Sequence, residues 1–209
     1  MTPYLETLER AISDVGHWTW WDGQPSESIQ LEFGGVQLWN EPVNEGEAPS
    51  GLIALRFEAP ELVAFITLDG VQNLLPEDWP QRMQNDELDT WGISHGEFTL
   101  RSRELATELI AQSHHIQVMH GPPVDKFAAI TSPCLLAFRA GSVGAIVAAS
   151  TMTILSMAGE VKPDEVIAKS ERWWAYWREY WIRMDTDAPL PHDYACEVTI
   201  PGGDDTEDE

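Results

Sequence analysis

Three histidines, His114, His115 and His120, fall within one short segment, and imidazole is both a common metal ligand and a common general base. Their spacing works against either use. If residues 114–120 are extended, His114 and His120 share a face about 20 Å apart while His115 points to the opposite side, and a helix would separate them as well. We expect surface or hydrogen-bonded histidines here. His192, Asp193 and Cys196 suggest thiol chemistry, but in an extended chain His192 and Cys196 are about 13 Å apart. Cys134 follows Pro133 in an apolar run and reads as a small core residue rather than a reactive thiolate.

The phosphate-cradling and nucleophile-elbow patterns GxxxxGK[ST], GxGxxG and GxSxG do not occur. The run AGSVGA at 140–145 lies inside an expected hairpin, without a lysine or nucleophile in a useful place. Carboxylates are so abundant that each one taken alone is uninformative. No residue is therefore singled out as catalytic, cofactor-binding or metal-ligating, and no cofactor is expected.

A recognition patch is the stronger candidate. Taking Gly34 and Gly35 as a two-residue hairpin loop over residues 29–40 sets Phe33 opposite Val36 and Leu31 opposite Leu38 on one face, together with Ile29. The other face then carries Gln30 opposite Trp39 and Glu32 opposite Gln37. A large indole among hydrogen-bonding side chains is what binding surfaces offer. Trp21 and Asp22 would extend the patch if the preceding strand pairs alongside. If a helix covers that face instead, Trp39 is core. A single bulged strand is the alternative to the hairpin.

The elements that must position these residues follow from periodicity. Thr2 and Pro3 open a helix carrying Leu5, Leu8, Ile12 and Val15, which Gly16 is expected to end. Residues 17–22, HWTWWD, alternate as a strand, with Trp18 and Trp20 on one face and His17, Thr19 and Trp21 on the other. Residues 52–58 and 62–68 read as two strands around Ala59-Pro60-Glu61, the second apolar on both faces and so central. A short acidic helix from Pro76 to about Leu88 is followed by a brief strand at 98–100. Ser102 then caps a helix with Leu105, Leu109 and Ile110 on one side.

Residues 115–120 turn extended, and 127–130 form a short apolar segment. Residues 134–139 and 142–149 form a hairpin around Ala140-Gly141, pairing Phe138 with Val143, Leu136 with Ala145 and Cys134 with Val147. A last strand is expected at 195–200. The longest element is a helix over 162–184, holding four of the ten tryptophans. Val166, Ile167, Trp173, Trp174, Trp177, Tyr180, Trp181 and Met184 fall within an arc of about 140° and are expected to face the core. Hairpins without a sustained strand–helix–strand alternation imply an α+β fold. Its mainly antiparallel sheet would be packed by an N-terminal helix and a long Trp-rich C-terminal helix.

The chain has 209 residues, enough for one well-buried core, so one domain is expected over residues 1–201 with a disordered acidic tail at 202–209. Its 35 acidic and 12 basic residues give a formal charge of −23, of which the tail supplies only five acids. Such a field repels nucleic-acid phosphates and anionic membranes and draws in a basic partner, although acidity also serves solubility. Two cysteines without metal spacing, an acidic amphipathic N-terminal segment and no long apolar run lead us to expect a cytoplasmic protein. The first expectation for function is a non-enzymatic acidic interaction protein, of the inhibitor or immunity type, that binds a basic protein. A small hydrolase or ligand-binding enzyme, using a histidine with carboxylates assembled by the fold, is the second. A nucleic-acid mimic is the third.

Overall fold

The computed structural model describes residues 2–40, 51–68 and 76–186. His192, Asp193, Cys196, the strand expected at 195–200, the tail and residues 41–50 lie outside the described residues. Twelve main elements follow in order. They are α1 (Pro3–Ile12), β1 (His17–Gln24), β2 (Ser28–Val36), β3 (Gly51–Thr67), α2 (Trp79–Gln84), β4 (Phe98–Leu100), α3 (Glu104–Gln112), β5 (His115–His120), β6 (Cys134–Ala140), β7 (Val143–Ser156), β8 (Gly159–Glu160) and α4 (Pro163–Asp185). Short 3-10 turns precede α2 and follow β5, the second spanning Val124–Ala129. This is the expected α+β fold. The strands form one eight-stranded sheet of order β1-β2-β3-β7-β6-β4, with β5 beside the second half of β3 and β8 beside the end of β7. Every pairing in it is antiparallel.

The hairpin expected over 29–40 and the two strands expected at 52–58 and 62–68 are each a single bulged strand. Across Gly34 and Gly35 the chain continues, with Phe33 opposite Ile53 and Val36 opposite Gly51. The glycines answer to a neighbour rather than to a turn. His17 pairs with Gly34, and a Cβ on Gly34 would stand 2.5 Å from the His17 ring, while Gly35 adopts a φ of +66°. The bulge lets the chain pass the imidazole. Ala59-Pro60 likewise bends β3 without ending it: Ala59 has a φ of +47° and the register slips between Pro60 and Leu62. Proline lacks the N–H a central ladder needs, so a bulge is where such a strand tolerates it.

A third bulge lies in β1, where Trp18 faces Phe33 and Trp20 faces Glu32, leaving Thr19 as the extra residue. Strict alternation had placed Trp18 with Trp20. Instead Trp18 and Trp21 share the buried side, and Trp20 turns outward half-buried.

The inner face closes on itself. In a flat sheet β2 and β6 would lie about 14 Å apart, three strand spacings. Yet the Phe33 and Phe138 rings are 5.0 Å apart, Trp18 reaches Phe138 at the same distance, and Phe33 meets Phe98 of β4 at 5.5 Å. The sheet is therefore strongly curled. The segment 88–97 bridges its open side: Trp18 N–H donates to Thr90 O at 3.1 Å, Ile93 N–H to Gly16 O at 3.1 Å, and Ser142 N–H to Asp89 O at 3.1 Å. The β1 edge is thereby partly paired. The core inside holds Trp18, Phe33, Phe57, Phe65 and Phe138, closed by Leu5, Leu8 and Ile12 of α1 and Trp79 and Met83 of α2.

A second core covers the opposite face of one half of the sheet. Leu62, Ala64 and Ile66 of β3, Leu135 and Ala137 of β6 and Ile146 and Ala148 of β7 pack there under Leu105 and Leu109 of α3 and Phe127. The second half of β3 is thus covered on both sides, as its unbroken apolar run implies. In the β6–β7 hairpin Ala140 faces Val143 and Phe138 faces Ala145, so the turn is Gly141-Ser142 and the register differs by two residues from expectation. A shift of two preserves every face.

The start of α4 is fixed by Pro163 in its first turn and by the Lys162 N–H, which donates to Glu165 Oε2 at 2.9 Å. Its buried line runs through Val166, Ser170, Tyr176 and Tyr180, while Trp173, Trp174 and Trp177 are half-buried and Trp181 is 58% exposed. The expected arc is rotated toward Tyr176. The cause is Trp39, which packs on Tyr176 with ring centroids 5.5 Å apart and whose N–H donates to Lys169 O at 3.1 Å.

The N-terminal helix ends earlier than expected. Its C-cap is Ser13, and Val15 is exposed rather than part of the buried stripe.

Candidate functional site

Among the described residues no helix packs as a second core on the outer face of the half of the sheet that α3 leaves uncovered. Cross-strand register builds it in three rows: Trp20, Glu32, Ala54, Leu155 and Glu160; then Asp22, Gln30, Arg56 and Thr153; then Gln24, Ser28, Glu58 and Thr151. Aligned side chains on one sheet face contact one another directly. Arg56 pairs with Glu58 at 2.6 Å, whereas Asp22 and Glu32 have no cationic partner among the described residues. The face is therefore acidic around one tryptophan.

Three of the six patch residues named from sequence, Asp22, Gln30 and Glu32, stand on this face. The other three do not. Trp21 is 8% exposed on the inner face, Gln37 is 5% exposed and Trp39 is 1% exposed beneath α4. The physical reason is the pair of bulges: one turns Trp21 inward and Trp20 outward, and the other carries Gln37 and Trp39 away from Gln30 and Glu32 altogether.

Beside the first row the face deepens into a cleft of about 270 Å³ lined by His17, Thr19, Trp20, Glu32, Asp86 and Trp91, among others. Thr19 Oγ1 donates to Glu32 Oε1 at 2.9 Å, which holds that carboxylate at the mouth. Trp91, 57% exposed, lies flat on the His17 ring with centroids 4.0 Å apart and planes 13° from parallel. Burial lowers the His17 pKa below its ordinary value, with the Asp86 carboxylate opposing the shift. Its buried Nδ1 has no hydrogen-bond partner among the described residues. Two indoles with two carboxylates beside them suit a cationic side chain, which gains from the ring faces and from charge-assisted hydrogen bonds together.

His17, Trp20, Asp86 and Trp91 were not legible as a site. The available signal was the density of aromatic residues at 17–21 close in sequence to Gly34-Gly35, a glycine pair that makes room for a ring. The histidines that drew attention lie elsewhere. His115 and His120 stand at opposite ends of β5, opposite Thr67 and Val63. Among the described residues no cluster of three His, Cys, Asp or Glu could hold a metal ion. Cys134 is half-buried at the start of β6, and burial pushes its thiol pKa up, away from the reactive thiolate.

Fold and face together define an acidic α+β protein whose curled antiparallel sheet has one outer half without a helix packed on it among the described residues. The chain matches no protein-family model, no curated protein and no solved structure. Among the described residues no helix is long and apolar enough to cross a membrane.

Proposed function

We propose that this chain is a non-enzymatic interaction protein that binds a basic protein, as an inhibitor or immunity-type partner does, through the outer face of β1, β2 and β3. The observation that carries this reading is the first row with its cleft. Trp20 and Trp91 supply aromatic surface beside Glu32 and Asp86, neither of which has a cationic partner among the described residues. A formal charge of −23 would speed the encounter and make it salt-dependent.

The test is capture of the partner on the tagged full chain, elution along a salt gradient and identification by mass spectrometry, followed by affinity measurement with variants. Trp20→Ala and Glu32→Gln are each expected to weaken binding by about tenfold or more. A partner that binds both variants as tightly as the parent chain, or the absence of any basic partner at low salt, would overturn the reading.

A second reading, a small ligand-binding enzyme, draws on His17, a neutral imidazole in a cleft with two carboxylates. Turnover of a small-molecule panel, abolished by His17→Gln but retained by Trp20→Ala, would favour it.

A further inference from the structure

A second cleft, of about 480 Å³, lies between α1 and α4. That is within the range of small-ligand sites. Thr7 and Arg10 line it from α1, and Ile167, Ser170, Glu171, Trp174 and Arg178 from α4. The spacing 167, 171, 174, 178 is one stripe of a helix, beside the line that α4 buries.

Its chemistry runs against that of the whole molecule. Carboxylates outnumber basic residues 35 to 12, yet neither the Arg10 nor the Arg178 guanidinium has an ion-pair partner among the described residues. Arg10 lies over the Trp174 ring, 4.8 Å from its centroid, which holds the guanidinium plane in place without neutralising it. A second, independent observation is Ser170. It is 7% exposed, lines the cleft, and its hydroxyl has no hydrogen-bond partner among the described residues. A hydroxyl left unpaired on the cleft wall is free to donate to an anion held there.

We propose that the α1–α4 cleft binds a small organic anion. Its carboxylate or phosphate is held by Arg10, Arg178 and the Ser170 hydroxyl, and its apolar body rests against Trp174 and Ile167. Arginine is suited to both groups because its fork of N–H donors matches their paired oxygens. Glu171 opposes the anion from the same cleft, and this defines a variant that should gain affinity.

The experiment is titration calorimetry on the full chain with three probes: inorganic phosphate, phenyl phosphate and benzoate. Phenyl phosphate or benzoate is expected to bind saturably at one site, and comparison of the two identifies the preferred anionic group. Arg178→Gln, a surface change that leaves the core untouched, is expected to weaken binding by about tenfold, and Glu171→Gln to tighten it. Inorganic phosphate binding as tightly as phenyl phosphate would remove Trp174 and Ile167 from the site and overturn the organic body. No saturation by any probe up to about 10 mM, or equal affinity in Arg178→Gln and the parent chain, would overturn the site itself.

Discussion

Burial of the His17 ring disfavours its charged form more than the Asp86 carboxylate favours it, and His17 carries that cost into the pH dependence of folding. Its folded pKa lies below the ordinary value of 6.5, so as pH falls the unfolded chain takes up the proton first. The stability that His17 contributes is complete above that value and is lost as pH drops from it toward the folded pKa. Urea unfolding at about pH 7.5, 6.5 and 5.5 should therefore show a decline that is shallower in His17→Gln. An unchanged slope would mean that burial of this ring has no part in it. The glycine opposite is tied to the same ring. Gly34→Ala should cost about 1–3 kcal/mol through the clash with the imidazole. The cost should be smaller in a His17→Ala background, and a double-mutant cycle by chemical denaturation measures the coupling.

At the scale of elements, α4 is docked by a residue that the sequence left open between binding surface and core. Trp39 is fully buried on Tyr176 and hydrogen-bonded through its backbone to Lys169. Trp39→Ala should therefore destabilise the protein by about 3–5 kcal/mol by leaving a cavity under the helix. Trp181→Ala, at an exposed position on the same helix, should change stability by no more than about 0.5 kcal/mol. Thermal or urea unfolding of the two variants decides it. Equal effects would mean that α4 is held by its whole aromatic arc, as periodicity alone implied. The arc expected from periodicity ran through Trp173, Trp174, Trp177 and Trp181. It missed Tyr176 because the direction a helix faces is set by its neighbour, and Trp39 lies about 130 residues earlier.

Across the whole molecule two properties meet: a sheet curled tightly enough to bring β2 onto β6, and a chain whose formal charge is −23. Self-repulsion at that charge opposes compactness, and salt screens it. Raising ionic strength from about 0.01 to 0.15 M shortens the screening length from about 30 to 8 Å. The melting temperature is expected to rise over that range in differential scanning calorimetry. A fall would mean that favourable ion pairs outweigh the repulsion, contrary to the few pairs seen among the described residues, such as Arg56–Glu58 and Arg139–Glu97.

What the sequence determined on its own is whatever depends on local pattern. The α+β class, α1 apart from its last turn, β4, β5, α3, the hairpin of β6 and β7 with its faces, and the extent of α4 follow from periods of two and 3.6 and from the prolines that open α1 and α4, although Thr2 makes no side-chain cap bond and Arg103, not Ser102, is the N-cap of α3. A register wrong by two residues in that hairpin did no harm, because side chains repeat every two. The tertiary structure alone decided the bulges at Thr19 and at Gly34-Gly35 and the burial of Trp39. With the bulges it decided which tryptophan faces outward beside Glu32. One extra residue in a strand reverses all alternation beyond it, and nothing local marks it. A glycine pair serves a turn or a bulge equally well. The choice here was made by the imidazole that Gly34 must pass, a contact between strands that exists only once the chain has folded.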